Sequence, residues 1–375
     1  MNPHRRTRMM QYLEHISKTP YAVWYRVQGD YAGAIQRYVV TTPDSRRICN
    51  EPELVGWQFT DAMRHAVTGA LATAPFAGAI QSVPQHRVCV LNFLRGGLNF
   101  DLRTALHDAY GMNHHVSAFM SSQRRRTEGR WEVHEDMYRK LRIPDGAILM
   151  VGDVVATGAT ISNGLSVLLS HMTQLGSRLS MLVFFAVGCH KLEKHLEAFH
   201  ERCLELFPNY EATHAVYLEG KFKLVDSKTH LRISIQGTDL IKPGALLAPE
   251  YALTQYGSLN YPLERCVIYD AGSRAFDVPH YLDDVAGYWT ELRNLARRGW
   301  TMADALQERW PDRQDDQVEQ EHRTWRGIDE DLFVRIQQAR ENRWTEAFQK
   351  TGATARALER LCDERLGTIE GLTSL

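Results

Sequence analysis

Residues 147–161 read AILMVGDVVATGATI: five apolar residues, a glycine, a single acid, then a turn made of small residues and hydroxyls. A continuous apolar run of this length, closed by turn formers, suits a strand covered on both faces. Behind it, Ile161, Leu165, Leu168, Met172 and Leu175 recur as one face of a helix that stops at Gly176. Unpaired N–H groups at a helix N-terminus carry the positive end of the peptide dipoles, and Gly and Ala let an anion approach them. The turn Thr157-Gly158-Ala159-Thr160 is therefore a candidate phosphate cradle, with Thr157 and Thr160 as hydroxyl donors. The same residues suit equally an ordinary strand-to-helix turn with a threonine cap. No GxxxxGK[ST] loop occurs, and no GxGxxG follows a strand.

Working outward, Phe59, Met63, Val67 and Leu71 predict an amphipathic helix over 57–74, and RVCVLNF, residues 87–93, predicts a buried strand. LRGG follows that strand, then a helix near 98–110, a strand near 115–120, an Arg-rich polar stretch over 121–142 and a strand over 180–187. Strands alternating with helices predict an α/β fold with a mainly parallel sheet flanked by helices, whose ligands bind at the carboxyl ends of the strands. Both LRGG and the Asp153 turn fall at such ends. Three regions are expected: an N-terminal arm over 1–55 with a strand at 37–42, a core over 56–287 with an insertion around 188–268, and a helical extension over 288–375. The tryptophans of the extension, Trp289, Trp300, Trp310, Trp325 and Trp344, are expected to form its own core or a subunit contact.

The 375 residues carry 44 Lys+Arg against 45 Asp+Glu, so nothing global favours nucleic acid or an anionic membrane, and any anion site must be local. Six scattered cysteines without a CxxC pair suit free thiols in a reducing compartment. The absence of a long apolar run or an apolar signal core predicts a soluble, cytoplasmic protein.

AILMVGDVVATGATI resembles the phosphoribosyl-pyrophosphate (PRPP) signature of type I phosphoribosyltransferases, and VCVLNFLRGGLNFDLRTAL is similar to the strand, loop and helix of uracil phosphoribosyltransferases. The resemblance implies a 5-phosphate bound on Ala156, Thr157, Gly158, Ala159 and Thr160, ribose hydroxyls on Asp153, and pyrophosphate on Leu94, Arg95, Gly96 and Gly97. It implies Mg2+ arriving with PRPP, a homodimer, and a mobile hood at 121–142 whose Arg124, Arg125 and Arg126 would shield the reacting centre. Catalytic roles are expected of Arg95, Asp153, Arg124 and Arg125. YDAGSRAFD, residues 269–277, is similar to the stretch beside that family's base-binding loop, which implies Tyr269, Asp270, Arg274, Phe276 and Asp277 as acceptor residues. Two departures stand out: Gly152 replaces the first acid of the usual pair, and the chain between Val187 and Tyr269 is longer than a uracil enzyme needs.

The expected function is transfer of a 5-phosphoribosyl group to a nitrogen of a pyrimidine-like or other small aromatic acceptor, releasing pyrophosphate. The alternatives are a non-catalytic regulator that senses PRPP or nucleotides on the same fold, and a specialised-metabolism transferase with a non-nucleobase acceptor. His190, His195 and His200 recur every five residues, which scatters them over a helix surface and argues against metal; His114-His115, Cys189 and Asp283-Asp284 are expected to be structural or solvated.

Overall fold

A computed structural model describes residues 11–29, 33–127, 130–311, 323–344 and 353–374; the side chains of 122–137 and 344 lie outside that description. The centre is built from apolar strands covered on both faces. All of β4 (Val88–Phe93) and residues 147–152 of β7 (Ala147–Val155) are buried. β7 pairs in parallel with β4 and with β8 (Leu179–Cys189), β4 with β5 (Val116–Thr127), and β8 with β9 (Ala212–Leu224). Taken in order of appearance, these parallel strands lie second, first, third, fourth, fifth, so the order reverses between β4 and β7.

The helix Leu102–Tyr110 carries the chain from β4 to β5, and the helix Ala159–Leu175 carries it from β7 to β8 in the opposite direction. Right-handed crossovers running in opposite directions place their helices on opposite faces. The first packs beside the helix Gly56–Ala72 and the second beside the helix His190–Leu206. The fold is α/β, with a largely parallel but mixed sheet between helices.

The expected region boundaries need correction. Residues of the expected arm form β1 (Tyr12–Lys18), β2 (Val23–Gln28) and β3 (Gln36–Thr41), an antiparallel meander whose last strand joins β9 in parallel. The expected insertion supplies β9, an interior strand, and the helix His190–Leu206. β9 escapes a pattern reading because Thr213, His214, Glu219 and Lys221 interrupt its apolar residues, yet all four are buried. β10 (Leu240–Leu247) pairs antiparallel with β9. The polar stretch after Met120 is an extension of β5 that returns as β6 (Arg130–Lys140).

A boundary at 288 would cut the helix Val278–Arg297, which packs with the helix Ala355–Thr373 around a second core containing Tyr281, Trp289, Leu292, Cys362 and Leu366. Trp289 belongs to that core as expected, but Trp325 does not. It lies in β11 (Trp325–Arg326) beside β1, with its indole N–H donating to Leu247 O at 2.8 Å. All six cysteines are buried free thiols. Among the described residues, no helix is long and apolar enough to cross a membrane.

One buried acid ties the added strands to the core. Glu219 adopts φ 64°, a left-handed conformation that costs a non-glycine residue about 1–2 kcal/mol. Its Oε1 accepts the Thr42 N–H at 3.1 Å and the Ser45 hydroxyl. Thr42 and Ser45 also cap the helix Pro43–Asn50 reciprocally, so β9 and the start of that helix are fixed to each other. Burial pushes the Glu219 carboxyl up to about 7, against the opposing charge of Arg46 and the hydrogen bonds it accepts. The folded chain thus keeps this proton across a window in which the unfolded chain has lost it, and stability falls as pH rises from about 4.5 to about 7, then levels off. In urea unfolding over that window, the wild type is expected to lose on the order of 3 kcal/mol relative to Glu219→Gln. Parallel pH profiles for the two proteins would contradict this assignment.

Candidate functional site

Where the strand order of a doubly wound sheet reverses, the crossovers leave to either side and a crevice opens at the carboxyl ends. Here the crevice lies between the loops that follow β4 and β7. After β4, the Leu94 N–H donates to Met120 O at 2.9 Å and the Leu94–Arg95 peptide is cis. Gly96–Phe100 then forms a short 3-10 turn. Near the carboxyl end of β7, Asp153 is half-buried, and its Oδ1 accepts the Val154 N–H at 2.8 Å.

The two loops touch. A β-carbon at Gly96 would lie 2.5 Å from Asp153 Oδ1, so a larger residue there would push this carboxylate from the place it holds against the Arg95–Gly97 backbone. Arg95 is exposed, and its side chain makes no ion pair among the described residues. The residues expected on pyrophosphate and on ribose, contributed by two strands, are therefore neighbours through Gly96 and Asp153.

The third part of the crevice is the start of the helix Ala159–Leu175. Its N-cap is Gly158, at φ 76°, which has no side chain to cap the first turn. A threonine cap, the ordinary alternative for this turn, is not formed. The Thr160 hydroxyl is buried and has no hydrogen-bond partner. An uncapped helix start beside an unsatisfied buried hydroxyl is a site that an anion with several oxygens can complete.

Gly152 has a steric cause. A β-carbon there would overlap the ring of Phe100, which fills the space that the side chain of a first acid would need. Phe100 is fully buried, so this position serves core packing between β7 and the turn after β4.

Other expected site residues are placed differently. Arg124, Arg125 and Arg126 lie on β5 opposite Val133, Glu132 and Trp131 of β6, and their side chains fall outside the described residues. β5 runs parallel to β4 and passes beyond its end at Phe93, which carries this hairpin past the carboxyl edge where the crevice opens.

The expected acceptor residues do not form a pocket together. Tyr269 is buried beneath the Arg265 guanidinium, 4.4 Å from its ring, and donates its hydroxyl to Glu264 at 2.9 Å. Asp270 caps the helix Ala271–Phe276 by accepting the Gly272 and Ser273 N–H groups at 2.8 and 3.2 Å. Arg274 is 1% exposed; it lies over Phe59 and donates to the carbonyls of Leu54 at 2.7 Å, Ile48 at 3.0 Å and Glu51 at 2.5 Å. With its guanidinium occupied by backbone, Arg274 joins helices rather than meeting a charged acceptor. Phe276 is exposed and Asp277 begins the helix Val278–Arg297. The segment does adjoin the crevice, since Asn99 Nδ2 donates to Ala271 O at 2.5 Å.

Two residues with no expected site role contact the loop after β7 from its other side: His195 Nε2 lies 3.2 Å from Thr157 O, and the Cys189 thiol lies 3.1 Å from Ala156 O. Their position in chain order was the available signal, because the first turns of the helix after β8 sit beside the loop of the neighbouring β7. Among the described residues, no group of three or more His, Cys, Asp or Glu side chains converges as a metal site.

No protein-family model matches this chain, and no curated protein sequence matches it. Among solved structures, the AQ2163 protein from Aquifex aeolicus is similar over 48% of this chain and 84% of its own, with 16% identity and a TM-score of 0.34. A hypothetical protein from Neisseria gonorrhoeae with bound ppGpp is similar over 34% of this chain and 67% of its own, with 13% identity and a TM-score of 0.23. Likenesses this distant carry no argument about the site.

Gly152→Asp would restore an acidic pair in the sequence but would drive a side chain into Phe100. It is expected to destabilise the protein by about 1–3 kcal/mol in urea or thermal unfolding. Unchanged stability would mean that the Phe100 ring does not hold this space.

Proposed function

We propose that the protein is a phosphoribosyltransferase of the type I architecture, moving a 5-phosphoribosyl group from PRPP to a nitrogen of a small aromatic or nucleobase-like acceptor. The observation that carries this reading is the contact of Gly96 with Asp153 at the strand-order reversal, which joins an Arg-Gly-Gly loop, one acid and an uncapped helix start in a single crevice. A sugar bearing phosphates at both ends needs this arrangement: cationic and N–H donors at two places, with a hydroxyl acceptor between them.

The 5-phosphate would lie on Ala156 to Thr160, taking the helix N–H groups and the Thr160 hydroxyl. Asp153 would accept hydrogen bonds from the ribose hydroxyls. Arg95 and the backbone of Gly96 and Gly97 would hold pyrophosphate. In the reaction the anomeric C–O bond breaks with its electron pair leaving on pyrophosphate, the acceptor nitrogen forms the new C–N bond, and the nitrogen loses its proton. Arg95 would stabilise the charge that develops on the leaving group, and Asp153 would fix the ring on which cationic character builds. Mg2+, held mostly by the oxygens of PRPP and by water, would neutralise further negative charge, and Asp153 is the carboxylate that would help to hold it. The hairpin of β5 and β6, carrying Arg124 and Arg125, would cover the crevice and exclude water.

A second reading, a non-catalytic sensor of PRPP or nucleotides, draws support from Phe100, which closes the place of the first acid. Pyrophosphate release from Mg·PRPP across uracil, other nucleobases, orotate, and aromatic amines and acids separates the two. The transferase reading predicts release that depends on one acceptor class and falls at least about 100-fold in Asp153→Asn and in Arg95→Ala. PRPP binding without release from any acceptor would favour the sensor, and failure to bind PRPP would sink both.

A further inference from the structure

The phosphate loop is held from behind by groups that the proposed chemistry does not use. The carbonyls of Ala156 and Thr157 point away from the crevice toward the unit formed by β8 and its following helix, where the Cys189 thiol lies 3.1 Å from the first and His195 Nε2 3.2 Å from the second. A carbonyl only accepts, so Nε2 is the protonated ring nitrogen in this contact. Burial raises the Cys189 thiol above its ordinary range, which keeps it neutral with a hydrogen to donate. The His195 ring also packs against the loop itself: a β-carbon at Gly158 would lie 2.5 Å from its Cδ2.

A peptide unit is planar and trans, so its C=O and the following N–H point in opposite directions. Anchoring the Ala156 and Thr157 carbonyls on one side therefore aims the N–H groups of Thr157 and Gly158 to the other, toward the mouth of the crevice. We propose that His195 and Cys189 are positioning residues that orient the phosphate loop for a sugar 5-phosphate, His195 being the stronger determinant. This rests on the reading of the loop as the 5-phosphate site. A small-residue loop without such anchors would have to be ordered by the ligand, at the expense of affinity.

The test is calorimetric titration of the full chain with two probes that divide the crevice: ribose 5-phosphate for the loop after β7, and magnesium pyrophosphate for the Arg95 loop. His195→Leu fills the same space without a donor, and is expected to weaken ribose 5-phosphate about tenfold while leaving pyrophosphate within about twofold. His195→Gln places an N–H near the position of Nε2 and should return ribose 5-phosphate to within about threefold of wild type. Cys189→Ala should act in the same direction as His195→Leu, with a smaller effect, since a thiol is a weak donor.

Wild-type binding of both probes with no effect of His195→Leu would overturn this inference alone. Equal loss of both probes in His195→Leu, or no recovery in His195→Gln, would reduce His195 to general packing and overturn it as well. If the wild type binds neither probe, the assignment of the crevice fails and this inference fails with it.

Discussion

Everything proposed for this protein depends on the reversal of strand order between β4 and β7. Two neighbouring parallel strands send their crossovers to opposite sides, so no connecting helix can close the edge between them. The apolar strands fix this place rigidly, because one-residue slips in β4 or β7 would disturb strands that are buried on both faces. Loops with small residues can then come together over it. Gly96 against Asp153 and Phe100 under Gly152 are two results of the same approach, one placing an acid beside the loop after β4 and the other packing a ring against a strand glycine.

Charge is used in two distinct ways around this edge. With a formal net charge of −1 the whole chain does not attract anions, so the proposed anion site relies on local groups: exposed Arg95, the helix start at Gly158 and the unpartnered Thr160 hydroxyl. Many other charged groups are buried and spent on assembly. Arg274 satisfies three carbonyls, and Arg365 reaches both oxygens of Glu53 at 3.1 and 2.9 Å and Glu264 at 3.3 Å, tying the C-terminal helix to the core. Removing one partner from such a buried set leaves an unpaired charge, so these residues specify how the second core docks more than they add to net stability.

The central strands and helices were legible because their apolar periods are clean: Ala147–Val155 followed by Ala159–Leu175 changes from a continuous run to a 3.6-residue repeat within a few positions. β9 was hidden because its buried Thr213, His214, Glu219 and Lys221 look like surface residues until their partners are known, and two of those partnerships span long distances in sequence: Ser45 for Glu219, and Glu193 for Lys221. The loop residues of the crevice were legible as motifs, but direction was not. Arg274 sits in a stretch that reads like an acceptor loop, yet its guanidinium turns inward. His195 was set aside by considering its helix alone, whereas its contact is with a loop 38 residues earlier in the chain.

The most direct test of the crevice is amide hydrogen exchange of the full chain with and without Mg·PRPP. The account predicts that peptides covering 94–100 and 153–163 gain protection together, because one ligand spans loops from two strands. Protection confined to one of these loops, or absent from both, would contradict it.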